Sequence, residues 1–175
     1  KPGSSIIYNL ISSKAVPEVV NEHGGTAIRS RVGHSFIKAM MAETGAIFGG
    51  EHSGHFYFAD FWKADSGMLA ALFALAELSS SDKPLSELLA PYNRYVVSGE
   101  INTRVADTEK SLHIIRESFK QDYGIDELDG VTVTADQWWF NVRPSNTEPL
   151  LRLNVEADNK ATMEKVRDKV LDLIK

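Results

Sequence analysis

Apolar and polar positions change rhythm twice along the 175-residue chain. Ile6, Ile7 and Leu10 form a short apolar run, which predicts a buried strand over 6–10. Over 14–23 the rhythm becomes helical, with Ala15, Val19 and Val20 on one face and Gly24-Gly25 as the stop. A second strand (26–29), a second helix (35–44, closed by Gly45) and a third strand (46–48, ending in Gly49-Gly50) repeat the alternation. The apolar run from Met68 to Ala76 predicts a helix over 66–78, with Asp65 as its N-cap. Strands alternating with helices predict a parallel α/β domain, a partial three-layer α/β/α arrangement.

Pro84 and Pro91 bracket a short helix over 85–89, and a hinge is expected around 91–95. Beyond it the grammar differs. A strand over 95–104 leads to a helix over 108–123, with Leu112, Ile115 and Phe119 at helical spacing. Strands follow at 132–133 and 138–142. Over 150–155, Leu151, Leu153 and Val155 alternate with Arg152, Asn154 and Glu156, the pattern of a half-buried strand. A closing helix over 160–174 turns Met163, Val166, Val170 and Ile174 inward. The order β-α-β-β-β-α predicts an α+β domain: an antiparallel sheet with two helices on one face. The expected domains are therefore 1–93 and 94–175.

Composition narrows the function. Hydrophobic residues make up 43% and charged residues 25%, which suits a globular protein. The net charge of -5 comes with no basic run, so nucleic acid is not an expected partner. The longest apolar stretch is far short of the roughly 20 residues that a membrane helix needs. The absence of cysteine excludes disulfides and thiolate metal sites. No signal-peptide pattern opens the sequence, and a cytoplasmic location is expected. A run of Pro2, Gly3, Ser4 and Ser5 enters the first strand abruptly, which reads as a piece cut from a longer chain.

Two stretches could carry chemistry. The first, Gly49-Gly50-Glu51-His52-Ser53-Gly54-His55, follows a strand of the α/β domain, where open sheets place their ligands. Its glycines would let the backbone turn sharply and approach a ligand. The Glu51 carboxylate and Ser53 hydroxyl suit the vicinal hydroxyls of a sugar, and the His55 imidazole suits proton transfer near neutral pH. A polar surface turn is the alternative; a zinc site is disfavoured, because no third histidine or acidic cluster lies close by. The second stretch is Arg143-Pro144-Ser145-Asn146-Thr147-Glu148-Pro149, between two strands. Arg143 offers a planar fork for phosphate. Ser145, Asn146 and Thr147 add donors, and the prolines stiffen the loop. Arg143 is expected to face a cleft, so that its removal would weaken phosphate binding and leave folding nearly unchanged. Val32-Gly33-His34 precedes a helix, and His34 is expected near His55. Adjacent Trp138 and Trp139 must point to opposite faces of their strand. The aromatic stretch Phe56, Tyr57, Phe58, Phe61 and Trp62 reads as packing.

Gly50 to His55 resembles the sugar-specificity loop of the α-D-phosphohexomutases, and Arg143 to Pro149 resembles that family's phosphate loop. Val32 to Ser35 and Asp65-Ser66-Gly67 match as well. The resemblance covers nearly the whole chain and implies the third and fourth of the family's four domains. It implies an enzyme that interconverts hexose 1-phosphate and hexose 6-phosphate, of the mannose or glucose type, through a phosphoserine and a bisphosphate intermediate. It further implies that Glu51 and Ser53 bind sugar hydroxyls, and that Arg143, Ser145, Asn146 and Thr147 hold the phosphate not being transferred. His34 and His55 would line the reacting side, with His55 as proton shuttle. The implied Mg2+ and phosphoserine belong to loops that this sequence lacks, so the chain alone is expected to be inactive and to hold no cofactor. Its expected partners are hexose phosphates and the preceding domains of the same polypeptide. Asn146 stands where the glucosamine branch usually has glycine. His52 departs from a common methionine, and Ile11 stands where some relatives carry a substrate-binding lysine. The alternatives are a stand-alone sugar-phosphate-binding module and a phosphoglucosamine mutase.

Overall fold

The computed structural model describes residues 2–145 and 148–174. The polypeptide divides into two compact units, Lys1–Arg94 and Tyr95–Lys175. The first unit runs β1 (Ser5–Asn9), α1 (Ala15–Glu22), β2 (Thr26–Ser30), α2 (His34–Thr44), β3 (Phe48–Gly50), β4 (Phe56–Phe58), β5 (Ala64–Asp65), α3 (Gly67–Ser79) and α4 (Leu85–Leu89). Its described residues form one sheet in the order β2-β1-β3-β4-β5. Strand β1 is parallel to both β2 and β3, while β4 and β5 add an antiparallel extension.

Alternation along β1 distributes the helices. Ile7 packs with Ile37 and Met41 of α2 and with Tyr57 of β4, all fully buried. Its neighbour Ile6 points to the opposite face, where it lines a hollow with Val19 and Val20 of α1. Helices α1 and α2 thus cover opposite faces, and the chain reverses its direction of progress across the sheet at β1. The carboxyl ends of β1 and β3 therefore flank a topological switch point, where open α/β sheets bind ligands.

Gly49 is needed for packing: a Cβ there would lie 2.8 Å from Ile37 Cγ2, so glycine lets α2 settle onto β3. This gives Gly49 a packing role that its expected part in ligand approach did not include. Strands β4 and β5 were not legible, because three and two residues are too short to establish an alternation. Trp62 was expected to pack with the other aromatic residues; instead it is 83% exposed, in a left-handed turn between those strands.

The N-cap of α3 is Ser66, whose Oγ accepts the Leu69 N–H at 3.2 Å. Asp65 was expected in that role, but it ends β5 and its carboxylate is used elsewhere. Although α3 is apolar all round, none of its residues is buried, and Met68, Leu72, Phe73 and Leu75 are more than half exposed. Phe73 stacks on Phe58 at 5.5 Å, beside an apolar cavity of about 800 Å³.

The second unit runs β6 (Val96–Arg104), α5 (Thr108–Phe119), β7 (Gly124–Asp126), β8 (Val131–Thr134), β9 (Trp138–Pro144), β10 (Leu150–Ala157) and α6 (Lys160–Ile174). Its sheet is antiparallel in the order β6-β10-β9-β8-β7. Helix α5 is N-capped by Asp107, whose carboxylate accepts the Lys110 N–H at 2.9 Å. It stops at Phe119 because the next residues turn into β7. Leu112, Ile115 and Phe119 of α5 and Met163, Val166, Val170 and Ile174 of α6 meet Phe140, Val142, Leu151, Leu153 and Val155 in one core. Both helices therefore lie on one face.

The other face of this sheet is buried at its centre, although Glu100 and Asn102 of β6 are exposed on it. Asn154 and Glu156 are only 5% and 1% exposed, so β10 is buried on both sides rather than one. A hydrogen bond offsets that cost at Glu156: Trp139 Nε1 donates to Glu156 Oε1 at 2.8 Å. Trp138, on the helix side, stacks with Phe140 at 5.9 Å. The two tryptophans face opposite sides, as a pleated strand requires.

Candidate functional site

The loop from Glu51 to His55 closes a hairpin between β3 and β4. The Glu51 N–H donates to the His55 carbonyl at 2.9 Å, and the Gly54 N–H to the Glu51 carbonyl at 3.0 Å. Gly54 adopts φ +85°, a conformation that favours glycine. The Glu51 side chain turns inward and the residue is 6% exposed. Its Oε1 accepts the Tyr57 O–H at 2.6 Å, and its Oε2 accepts the Gly33 N–H at 3.1 Å and Asn9 Nδ2 at 3.5 Å. These donors come from β4, the start of α2 and the end of β1. Such bonds offset the cost of burying a carboxylate, and the amino end of α2 adds a favourable dipole. Burial, and donation to Glu51, push the Tyr57 hydroxyl well above the usual tyrosine value.

His34 is the first residue of α2, and its ring centroid lies 6.0 Å from that of His55, edge to face. His55 Nδ1 is 2.6 Å from Asp65 Oδ2, and Asp65 Oδ1 accepts the Phe56 N–H at 2.8 Å. The Asp65 hydrogen bond raises the His55 pKa; the same bond, followed by the Phe56 N–H, lowers that of Asp65. Glu51, His34 and His55 thus gather at the switch point. Ser53 and His52 sit exposed on the loop, the His52 N–H reaching Asn9 Oδ1 at 3.4 Å.

In the second unit, Arg143 lies near the end of β9 with its side chain 11% exposed. Its Nη2 meets Glu100 Oε2 at 3.0 Å, while Arg152 Nη1 meets Glu100 Oε1 at 3.1 Å. Arg152 Nη2 lies 3.4 Å from Ser145 Oγ. Arg143 and Arg152 are direct partners across β9 and β10. Like charges placed so repel, and Glu100 bridges them. Burial, as the leading cause, lowers the Arg143 pKa, opposed by Glu100; a guanidinium nevertheless stays charged. Two guanidiniums thus share one carboxylate beside Ser145, and Asp129 also acts on Arg143. Asn146 and Thr147 lie outside the described residues.

Two corrections follow. Arg143 is buried and ion-paired, so truncating it would empty a buried position and remove one of the two guanidiniums on Glu100, costing folding stability as well as binding. Glu100 and Arg152 were missed, because β10 reads as half-exposed when taken alone. The signal available was parity: in this hairpin register, Arg152 must share a face with Arg143.

Among the described residues, no group of three or more histidine, aspartate or glutamate side chains is placed to hold a metal ion. None of their helices is long and apolar enough to cross a membrane.

Residues 1–95 match the family model described as phosphoglucomutase/phosphomannomutase, alpha/beta/alpha domain III. Residues 100–173 match that of the C-terminal domain of the same family. The chain belongs to the phosphoglucomutase/phosphomannomutase family. Among its family relatives, a phosphomannomutase of Methanocaldococcus jannaschii is 47% identical over 174 residues, 99% of this chain and 38% of its own length. A phosphomannomutase of Escherichia coli K12 is 38% identical over 97% of this chain and 38% of its own. A solved phosphoglucomutase/phosphomannomutase family protein from Burkholderia thailandensis superposes with a TM-score of 0.85 at 30% identity, over 99% of this chain and 38% of that one. The chain thus spans about two fifths of the length of these relatives.

Proposed function

We infer that the chain is the substrate-gripping part of a phosphohexomutase that interconverts hexose 1-phosphate and hexose 6-phosphate of the mannose or glucose type. Glu51 and Ser53 take sugar hydroxyls. Glu51 retains acceptor capacity, since a carboxylate offers about four lone-pair sites and three donors are in place. His34 and His55 line the reacting side, with His55 as the proton-transferring group. Arg143 and Ser145, with Asn146 and Thr147, hold the phosphate that is not transferred, and Arg152 supplies a second guanidinium. The phosphoserine and Mg2+ implied by the family resemblance belong to polypeptide that this chain does not match, and the reaction runs in the cytoplasm.

The observation that carries this reading is the convergence of Glu51, His34 and His55 at the switch point of a sheet whose family relatives are phosphomannomutases. The test is an NMR titration of the chain with mannose 1-phosphate, glucose 1-phosphate and inorganic phosphate. Shifts at Glu51–His55 and at Arg143–Ser145 with the sugar phosphates are expected. Arg143→Lys keeps a charge for Glu100 but loses the planar fork, so it should weaken binding by about 1.5–3 kcal/mol, as for a charge-assisted hydrogen bond. No shift at either loop at saturating ligand, or equal binding by R143K, would overturn the assignment.

A further inference from the structure

The two chemistry-bearing ends of the 51–55 loop are held by one cross-strand pair. Tyr57 of β4 and Asp65 of β5 are register partners. Tyr57 is fully buried and donates its hydroxyl to Glu51; Asp65 binds the His55 ring on one oxygen and the Phe56 N–H on the other. Neither residue belongs to the sugar loop. Tyr57 fills the core beneath α2 with an apolar ring, yet its polar tip lands on the single carboxylate of the loop. Asp65 could have capped α3, but Ser66 does so, which leaves both Asp65 oxygens on the hairpin.

We propose that Tyr57 and Asp65 are the positioning residues of this site: Tyr57 fixes the Glu51 carboxylate, and Asp65 fixes the ring and tautomer of His55. The proposal rests on the functional reading above. With Nδ1–H donated to Asp65, neutral His55 carries its free lone pair on Nε2, the nitrogen that Asp65 does not bind. A proton taken up there leaves an imidazolium whose charge Asp65 opposes, the division of labour known for carboxylate–imidazole pairs in hydrolases. The other ionisable neighbours of His55 are Glu51, at the far end of the loop, and His34, from α2. Glu51 reinforces the effect of Asp65, and His34 opposes it whenever it is protonated. Because Phe56 and Tyr57 directly follow His55 and β5 pairs with β4, the clamp sits on paired strands rather than on the loop itself.

The experiment is nitrogen-detected NMR of the histidine rings across a pH series, on the wild-type chain, Asp65→Asn and Tyr57→Phe. Wild-type His55 should populate the Nδ1–H tautomer when neutral and titrate above the roughly 6.5 of a free imidazole. D65N keeps an oxygen for the Phe56 N–H but loses the carboxylate. It should move the His55 midpoint down toward that free value and mix its tautomers. Tyr57→Phe should leave the His55 titration in place and shift the Gly33 amide, which reports the Glu51 carboxylate. An unchanged His55 midpoint and tautomer in D65N would refute the Asp65 role; an unmoved Gly33 amide in Y57F would refute the Tyr57 role. Should D65N fail to fold, the wild-type tautomer decides, since an Nε2–H form overturns the proposal. Loss of sugar-phosphate binding by the wild type would count against the functional reading alone, because the ring titrations need no ligand.

Discussion

Gly130 precedes β8 and packs beneath the strand that carries Arg143. It adopts φ +72°, and a Cβ there would meet the Val142 carbonyl oxygen at 2.2 Å and Arg143 Cα at 2.7 Å. Gly99, on β6 of the same unit, has nearly the same φ of +69°, but a Cβ would meet nothing within 4 Å. Alanine at either position incurs the left-handed strain, about 1–2 kcal/mol. Only Gly130→Ala also forces backbone against backbone, which adds about 1–3 kcal/mol by the measure of overpacked cores. With a urea slope of about 1–3 kcal/mol/M, its midpoint should fall roughly 1 M below that of Gly99→Ala. Tryptophan emission suits the assay: Trp62 is 83% exposed and changes little on unfolding, so the signal comes from Trp138 and Trp139. Gly130→Ala should also weaken phosphate binding through Arg143, whereas Gly99→Ala should not. Equal midpoints for the two variants would refute the reasoning, since strain alone would then account for both.

Gly49→Ala should destabilise the first unit by about 1–3 kcal/mol, because its Cβ would sit 2.8 Å from Ile37 Cγ2; amide exchange of β3 and α2 would report it, and unchanged protection would contradict it. The Asp65–His55 pair should make stability pH-dependent. His55 has a raised pKa, so its contribution is full below about 6.5 and fades as pH rises through the folded value. Asp65 has a lowered pKa, so its contribution is full above about 3.9 and fades as pH falls through its folded value. The stability difference between wild type and D65N should therefore peak between those limits, at no more than about 1 kcal/mol for so exposed a pair. A difference that grew toward pH 9 would contradict the assignment.

Long periodic elements were legible. The inward residues of α5 and α6 were readable from 3.6-residue spacing alone, and the alternation of strands and helices over 5–50 led to a parallel core. Strands β4, β5 and β7 were not, because two or three residues carry no period. Helix α3 marks a different limit. None of its apolar residues is buried and most are exposed, while five buried side chains form the core cluster of that unit against fifteen in the other. Counting every buried hydrophobic residue described, eight against seventeen, the first unit is held by roughly half the apolar burial of the second, at about 1.5–3 kcal/mol per large buried side chain. Periodicity identifies which surface is apolar; it does not say what covers it.

The candidate site divides along the same line. The residues proposed to touch a ligand stood in short motifs, and Glu51, His55, Arg143 and Ser145 could be named from local spacing and chemical type. The residues that hold them could not. Tyr57 lay hidden in an aromatic run whose apolar reading was correct for its ring and silent about its hydroxyl. Asp65 sat at a position where helix capping was the nearer explanation. Glu100 is 43 residues from the arginine it bridges. Each acts through a hydrogen bond set by strand pairing, and pairing joins residues without regard to their separation in sequence. A motif therefore names the candidate groups for meeting substrate, whereas their orientation and proton affinity depend on partners that emerge only once the register of β4 on β5, and of β10 on β6 and β9, is known.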